Sequence, residues 1–322
     1  MKIKSIKTNL ESIALKTPFV TALRRVENVE FVRVEVRCEN GLFAQGEAPA
    51  TKAITGEDLD TITDSIAKVK TRLYGLKPRD ALEVLHRSEI GTSAKAALDM
   101  ALVALLAQEQ GKELYEYLGA KEKVEIQTDI TISLNTTQEM LADATLALSK
   151  GLDILKVKLG SDIKHAIVTT QLLSYELPNV KLLIDANQAW SLAESLEYVE
   201  AVKDLKIELI EQPVIASDLD AMAKITQVSN IPILADESAF SLEDVKKVLQ
   251  KNAADMINIK LMKCGGLTKA VEILEYAREK KIVCMLGSML EGRVSIKAAE
   301  HLAMAYKDVI KYVDLDSPLL YK

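Results

Sequence analysis

The chain of 322 residues is poor in the residues that build disulfide scaffolds, zinc sites and phosphate loops. Its cysteines are three in number and lack metal-ligand spacing, so we expect reduced, buried thiols rather than disulfide bridges or a zinc site. No glycine-rich dinucleotide motif and no phosphate loop is present, so the sequence predicts no bound nucleotide. The scarcity of cysteine is typical of a cytoplasmic protein.

Long apolar runs and long basic runs are also missing. No apolar stretch approaches the ~20 residues that a membrane span needs, so we expect no membrane partner. The net charge is −6 with both signs interspersed, which makes nucleic acid an unexpected partner. The first residues have the alternation of a strand and no apolar signal-peptide core. These absences favour a cytoplasmic globular protein that acts on small molecules.

The first third of the chain combines strand and helix patterns. Residues 2–10 and 29–38 alternate apolar and polar side chains, as antiparallel strands with one solvated face do. Asn40-Gly41 is a strong hairpin signal, and residues 56–118 have helical periodicity. We therefore predict an α+β domain over residues 1–118.

From about residue 124 the pattern becomes an alternation of short apolar strands with helical segments. Such alternation predicts βαβ units with a parallel sheet, and seven strands at this spacing favour a barrel over an open sheet. The predicted barrel domain covers residues 119–304, and residues 305–322 form a tail that returns to the first domain. The predicted strands are Val124–Ser133, Ile154–Leu159, Lys181–Asp185, Ile207–Glu211, Ile231–Ala235, Met256–Leu261 and Ile282–Leu286.

Three carboxylates stand at the ends of successive predicted strands. Asp185, Glu211 and Asp236 recur about every 25 residues, which is the length of one strand-loop-helix unit of a parallel barrel. Taken singly, each acid also suits a helix N-cap or a surface position. One acid per strand end, without histidine or cysteine, favours an oxygen-only site that suits Mg²⁺.

Lysines flank these carboxylates in the sequence. Lys156 and Lys158 share one strand face, and two neighbouring ammonium groups are expected to lower a lysine pKa. Lys260 comes from a strand several positions away, so it is expected to enter from the opposite side of the barrel. An acid or base on each side of a substrate could invert a stereocentre. Lys263 is expected to face outward or into a loop.

The strand motifs resemble those of the enolase superfamily, and within it the muconate lactonizing enzyme subgroup. The matching segments are KVKLG, LIDANQAW, LIEQPV, LADES and INIKLMKCGG. The resemblance implies an α/β fold, namely a modified TIM barrel of the (β/α)7β type with an N-terminal α+β capping domain. It also implies a homo-oligomer.

The resemblance further implies roles for individual residues. Lys158 and Lys260 would be the acid/base catalysts. The Mg²⁺ ligands would be Asp185, Glu211 and Asp236, with Asn187 and Glu237 just outside the ligand set. Lys156, Met289 and Leu290 would belong to the substrate-binding residues.

Two further features bear on the choice among the subgroup's reactions. Asp314 and Asp316 lie on one face if their segment is extended, and they resemble the Asp-x-Asp motif with which dipeptide epimerases bind the substrate's ammonium group. Arg24, in TPFVTALRRV, resembles the arginine that binds the glutamate side chain in L-Ala-D/L-Glu epimerases, although Arg25 is adjacent.

The resemblance thus favours a Mg²⁺-dependent dipeptide epimerase that acts on L-Ala-D/L-Glu. The alternatives are an acidic surface loop at 314–316 and a solvated arginine at position 24. An N-succinylamino acid racemase or o-succinylbenzoate synthase would use the same catalytic residues without needing an ammonium site. A barrel that binds a ligand without catalysis is the alternative outside enzymes.

Overall fold

The computed structural model describes all residues, 1–322, and begins with a three-stranded antiparallel sheet. Its strands are β1 (Ile3–Val20), β2 (Arg25–Cys38) and β3 (Phe43–Pro49), in that order across the sheet. β1 runs well beyond the predicted strand, with a register shift against β2 between Ala14 and Phe19. Pro18 lies in this irregular stretch of an edge strand, where the lack of an N–H is tolerated. The long β1–β2 hairpin carries residues 21–24 at its tip.

Helices cover one side of this sheet. The longest, α4, is buried on nearly all sides and packs against β3 so closely that a Cβ at Gly46 would lie 1.9 Å from the Ala97 carbonyl oxygen. The predicted α+β character of the first domain is therefore confirmed. Its helices are α1 (Lys52–Thr55), α2 (Leu59–Leu73), α3 (Pro78–His86), α4 (Thr92–Glu109) and α5 (Leu114–Tyr117).

The rest of the chain forms an eight-stranded parallel sheet that curves into a nearly closed barrel. The strands follow one another around the ring in chain order. They are β4 (Ile130–Ile132), β5 (Ile154–Lys158), β6 (Lys181–Asp185), β7 (Ile207–Glu211), β8 (Ile233–Ala235), β9 (Met256–Lys260), β10 (Val283–Gly287) and β11 (Ile310–Asp314).

Helices alternate with these strands. They are α6 (Thr137–Ser149), α7 (Ile163–Glu176), α8 (Leu192–Val202), α9 (Leu219–Val228), α10 (Leu242–Gln250), α11 (Leu261–Cys264), α12 (Leu267–Lys280), α13 (Arg293–Ala305) and α14 (Ser317–Leu320). All seven predicted strands are present, although β4 is much shorter than expected. The eighth strand, β11, lies within the predicted tail, residues 305–322. No helix in the structure combines the length and the apolar character that crossing a membrane requires.

The ring is closed between β4 and β11 by a few hydrogen bonds instead of a regular ladder. The Asp129 amide donates to the Val313 carbonyl oxygen at 2.9 Å, and the Leu315 amide donates to Thr128 Oγ1 at 2.8 Å. We call this junction, residues 128–131 and 313–316, the closing seam.

Side chains inside the barrel form two levels. A lower apolar level consists of Leu183, Leu209, Leu234, Met256, Met285 and Tyr312. Residues two apart on a strand point to the same side, so Asp185 stands above Leu183 and Glu211 above Leu209. The alternation that builds the apolar level therefore also delivers the acidic side chains to the barrel mouth, where parallel barrels carry their active sites.

The capping sheet is fixed to the barrel by a buried carboxylate. Glu47, in β3, accepts hydrogen bonds from the amides of Val294 and Ser295 at 3.0 Å each, at the start of α13. Arg33 of β2 forms an ion pair with the same carboxylate at 2.7 Å. A further hydrogen bond fixes the hairpin tip to the barrel: the amide of Leu134, just after β4, donates to the Val20 carbonyl oxygen. These contacts place residues 21–24 over the barrel mouth.

Candidate active site

The predicted site residues collect at the carboxyl ends of the barrel strands. Each is the last residue of its strand or follows it directly. They are Lys158 on β5, Asp185 on β6, Glu211 on β7, Asp236 after β8, Lys260 on β9 and Asp314 on β11.

Lys158 and Lys260 lie on opposite sides of the ring and line one cavity. Three strands lie between β5 and β9 on either side of the eight-stranded ring, so the two strands are opposite each other. Lys158 Nζ donates to Asp185 Oδ2 at 2.6 Å, and Lys260 Nζ donates to Asp236 Oδ2 at 2.7 Å. Burial lowers the pKa of Lys260, but the charges of Asp236, Glu211 and Asp314 together outweigh burial and raise the pKa above its ordinary value.

Lys156 lies beneath the cavity, and its side chain is fully buried. Its Nζ contacts Asp314 at 2.6 Å, Glu211 at 2.8 Å and Asp185 at 3.4 Å. Burial lowers the pKa of Lys156, but these three carboxylates outweigh it and hold the pKa well above its ordinary value. The expected lowering by a neighbouring ammonium group is therefore wrong for Lys156, because carboxylates surround this amine.

The expectation that Lys263 faces outward is also wrong. Lys263 is buried, and its Nζ donates to Asp236 Oδ1 at 2.6 Å and to the Asn258 carbonyl oxygen at 2.8 Å. The short helix α11 begins directly after Lys260, and residues three apart on a helix are neighbours. This helical turn carries Lys263 back towards Asp236, whereas an extended strand would not have done so.

Buried carboxyl groups outnumber buried lysines in this layer. The lysines are Lys156, Lys158, Lys260 and Lys263, and the acids are Asp129, Asp185, Glu211, Asp236, Glu237, Asp314 and Asp316. Burial, followed by the charge of Asp185, raises the pKa of Glu211 to about 7. Burial, followed by Asp236, raises the pKa of Glu237 to about 8. The site therefore contains more carboxyl groups than its own lysines can pair with.

The cavity lies between the barrel mouth and the capping hairpin and has an empty volume of about 530 Å³. Both parts of the fold contribute to its lining, and Asn187, Glu237, Met289 and Leu290 all take part. Asn187 Nδ2 and Glu237 Oε1 are 3.5 Å apart across the mouth.

Arg24, and not Arg25, faces this cavity. Arg24 is half-buried at the hairpin tip and forms no ion pair, and burial lowers its pKa to about 10. Thr21 Oγ1 accepts the Arg24 amide at 3.3 Å and so fixes the turn. Arg25 begins β2 with 61% of its side chain exposed, and it pairs with Glu27 on the surface. A cation without a partner in a cavity suits an anionic group of a ligand.

Asp314 and Asp316 line the same cavity at the closing seam. Burial raises the pKa of Asp314, but Lys156 and Lys158 outweigh it and lower the pKa. Asp316 Oδ2 accepts the Thr131 amide at 2.7 Å. Burial, followed by the charge of Asp314, raises the pKa of Asp316 to about 6. The pair is therefore buried and directed at the cavity, and is not an exposed acidic loop.

Comparisons with known proteins agree with this geometry. Residues 4–119 match the family described as mandelate racemase / muconate lactonizing enzyme, N-terminal domain, and residues 139–320 match enolase C-terminal domain-like. The chain belongs to the enolase superfamily. Within it, the chain falls in the muconate lactonizing enzyme subgroup and is most similar to dipeptide epimerases.

Three relatives illustrate the similarity within the enolase superfamily. An L-amino acid-D/L-Glu epimerase of Sulfurimonas denitrificans is 58% identical over 100% of this chain and 95% of its own length. The substrate-liganded L-Ala-D/L-Glu epimerase of Bacillus subtilis superposes with a TM-score of 0.96 at 39% identity, over 100% of this chain and 92% of that one. A dipeptide epimerase of Enterococcus faecalis V583, complexed with Mg and L-Leu-L-Tyr, gives 0.96 at 35% identity with the same coverage. The chain is an isomerase of the racemase and epimerase type.

The predicted Mg²⁺ ligands of this superfamily member fit a hard divalent cation. Asp185, Glu211 and Asp236 offer only oxygen atoms and lie on three neighbouring strands. Burial and, after it, the charge of Asp185 raise the pKa of Glu211, and a bound cation would oppose both effects by favouring the ionised carboxylate. The ligand roles themselves stay predictions.

Sequence reasoning missed several polar residues of the site. Thr131 and Ser288 line the cavity, and Asp129 lies behind Asp314 and Asp316 in the closing seam. In a single sequence, only one feature distinguishes Asp129 from the other acids of the chain. The one available signal was an aspartate inside the predicted apolar strand 124–133.

Proposed function

We propose that this protein is a Mg²⁺-dependent dipeptide epimerase that inverts the α-carbon of the C-terminal residue, with L-Ala-D/L-Glu as its substrate. The observation that carries the proposal is the placement of Lys158 and Lys260 on opposite strands of the ring around one cavity. A planar enediolate between the two amines can lose a proton on one face and gain one on the other.

The two lysines would exchange roles with the direction of the reaction. A neutral amine takes the α-proton of one epimer, and the ammonium group of the other lysine delivers a proton to the opposite face. Asp185, Glu211 and Asp236 would hold Mg²⁺, which, when bound, supplies positive charge where negative charge develops on the substrate carboxylate. Asp185 and Asp236 also orient the two amines through their hydrogen bonds.

The carboxylates of Asp314 and Asp316 would bind the ammonium group of the dipeptide. We expect Asp316→Asn to raise KM for dipeptides about tenfold or more, because a hydrogen bond to a charged group loses one of its charges. The amide of asparagine can still accept the Thr131 N–H, so the seam should remain intact. Steady-state kinetics with L-Ala-L-Glu gives the change in KM.

A dipeptide without the ammonium group provides the matched control for the ammonium site. An N-acetylated dipeptide lacks the ammonium group, so wild type should process it poorly and Asp316→Asn should make little further difference. A KM for L-Ala-L-Glu that Asp316→Asn leaves unchanged would contradict the ammonium role. Preferential turnover of N-succinyl amino acids by wild type would replace the dipeptide with an N-acylamino acid as the substrate.

Arg24 would bind the side-chain carboxylate of a C-terminal glutamate. Replacement with methionine should lower kcat/KM for L-Ala-L-Glu about tenfold to a hundredfold and alter it little for dipeptides ending in an apolar residue. The reason is that Arg24 is the unpaired cation at the hairpin tip. The relative from Sulfurimonas denitrificans is an L-amino acid-D/L-Glu epimerase, and its glutamate specificity supports this choice.

Arg25→Met provides the matched control for Arg24→Met. It removes the same type of charge from the neighbouring position, where the guanidinium pairs with Glu27 on the surface. We expect the selectivity of Arg25→Met for glutamate to equal that of wild type. Equal losses in the two variants would mean that overall surface charge, and not a direct contact, attracts the substrate.

A further inference from the structure

A third aspartate lies behind the proposed ammonium site and has no assigned role. Carboxyl oxygens of Asp129, Asp314 and Asp316 lie within 4.8 Å of one another. Asp129 has no exposed surface, and neither of its carboxyl oxygens has a hydrogen-bond partner. Both neighbouring aspartates do have a hydrogen-bond donor. Asp314 accepts from Lys156 Nζ at 2.6 Å, and Asp316 accepts from the Thr131 amide at 2.7 Å.

An ionised carboxylate is disfavoured at the position of Asp129. It would be a buried charge without a donor, next to two other carboxylates, and each of these conditions opposes ionisation. Burial, followed by the charges of Asp314 and Asp316, indeed raises the pKa of Asp129 well above its ordinary value. Lys156 is the cation that most favours ionisation of Asp129, but its ammonium group already pairs with Asp314, Glu211 and Asp185.

A neutral carboxyl group at this position can act as a hydrogen-bond donor. It carries one O–H donor, which can reach a neighbouring carboxylate, whereas an ionised group only accepts. We propose that Asp129 is a positioning residue whose neutral carboxyl group donates its one O–H to a carboxylate of the Asp314 and Asp316 pair, holding that carboxylate in its direction towards the cavity. This inference depends on the proposed function only for the statement that the cavity-facing group is the substrate's ammonium.

The backbone of the closing seam keeps the three aspartates in register. Asp129 donates its amide to the Val313 carbonyl oxygen at 2.9 Å, one residue before Asp314. Thr131 donates its amide to the Asp316 side chain, two residues after the Asp129 position. The same contacts that close the barrel therefore set the spacing of the carboxyl groups.

The protonation state can be measured without any substrate. The infrared difference spectrum of wild type minus Asp129→Asn at neutral pH should contain the carbonyl band of a protonated carboxylic acid. Glu125→Gln is the matched control because it removes an exposed carboxyl group from the same segment, and its difference spectrum should show carboxylate bands only. Carboxylate bands alone in the Asp129→Asn difference would overturn the proposal.

Kinetics tests the positioning role. Asp129→Ala should raise KM for L-Ala-L-Glu about tenfold while lowering kcat much less, because it disturbs the ammonium site and leaves the lysines in place. Asp129→Asn should recover most of this loss, since an amide is a neutral donor of the same shape. Equal losses in both variants would overturn the proposal, because they would mean that a negative charge is needed. If wild type turned over no dipeptide, the proposed function would fail while the infrared experiment still decided the state of Asp129.

Discussion

Replacing either Lys158 or Lys260 with alanine is expected to slow epimerisation strongly but to preserve hydrogen exchange on one side of the substrate. Removing one acid/base group should slow epimerisation by about 10²- to 10⁴-fold. The remaining lysine still faces one side of the α-carbon, because the two strands lie half a ring apart. Each variant should therefore exchange the α-proton of one epimer only, and the two variants should prefer opposite epimers.

The fold should tolerate both substitutions because each carboxylate keeps a second lysine. Without Lys158, Asp185 retains Lys156 at 3.4 Å. Without Lys260, Asp236 retains Lys263 at 2.6 Å. Proton NMR in D₂O, with each pure epimer supplied separately, measures the exchange, and circular dichroism monitors the fold. Exchange of the same epimer by both folded variants would contradict the two-base arrangement.

Removal of divalent cations is expected to have the second large effect. Exhaustive chelation should lower turnover about a hundredfold or more, and added Mg²⁺ should restore it, since a cation supplies several kcal/mol of charge stabilisation. Mg²⁺ should also raise the melting temperature, because a ligand that binds only the folded state stabilises it. The excess of buried carboxyl groups over lysines is the structural reason for both expectations.

A pair of variants on one strand separates the metal site from general charge effects. Glu211→Gln alters the carboxyl end of β7 and should lose both the stabilisation by Mg²⁺ and the activity. Glu208→Gln alters the opposite end of β7, where the carboxylate contacts Tyr312 and Lys311, and should respond to Mg²⁺ as wild type does. Full activity after chelation, or the same thermal shift in both variants, would contradict the assignment of Glu211.

The sequence predicted most reliably those side chains whose direction follows from the alternation of residues along a strand. Leu209 and Glu211 point to the same side of β7, so the apolar pattern that identifies the strand also predicts where its acid lies. The sequence does not predict the closing strand β11, because Ile310–Asp314 lacks a clear apolar run and falls within the predicted tail, residues 305–322. Its place in the barrel depends on pairing with β10, a contact that local pattern does not contain.

Residues that act through tertiary contacts could not be predicted. Lys263 reaches Asp236 only because one helical turn follows β9, a local change of conformation that the apolar pattern does not reveal. Asp129 meets Asp314 and Asp316 from the other end of the chain, across the closing seam. The choice between Arg24 and Arg25 likewise required the geometry of the hairpin tip.

Proton NMR of the wild-type protein with Mg²⁺ and L-Ala-L-Glu in D₂O tests the central proposal most directly. We expect the α-proton signal of the glutamate to disappear while that of the alanine remains, and signals of the L-Ala-D-Glu diastereomer to appear. The same mixture with N-succinyl amino acids should show far slower exchange. Persistence of the glutamate α-proton signal in a folded, Mg²⁺-supplemented sample, or exchange confined to the N-succinyl compounds, would contradict it.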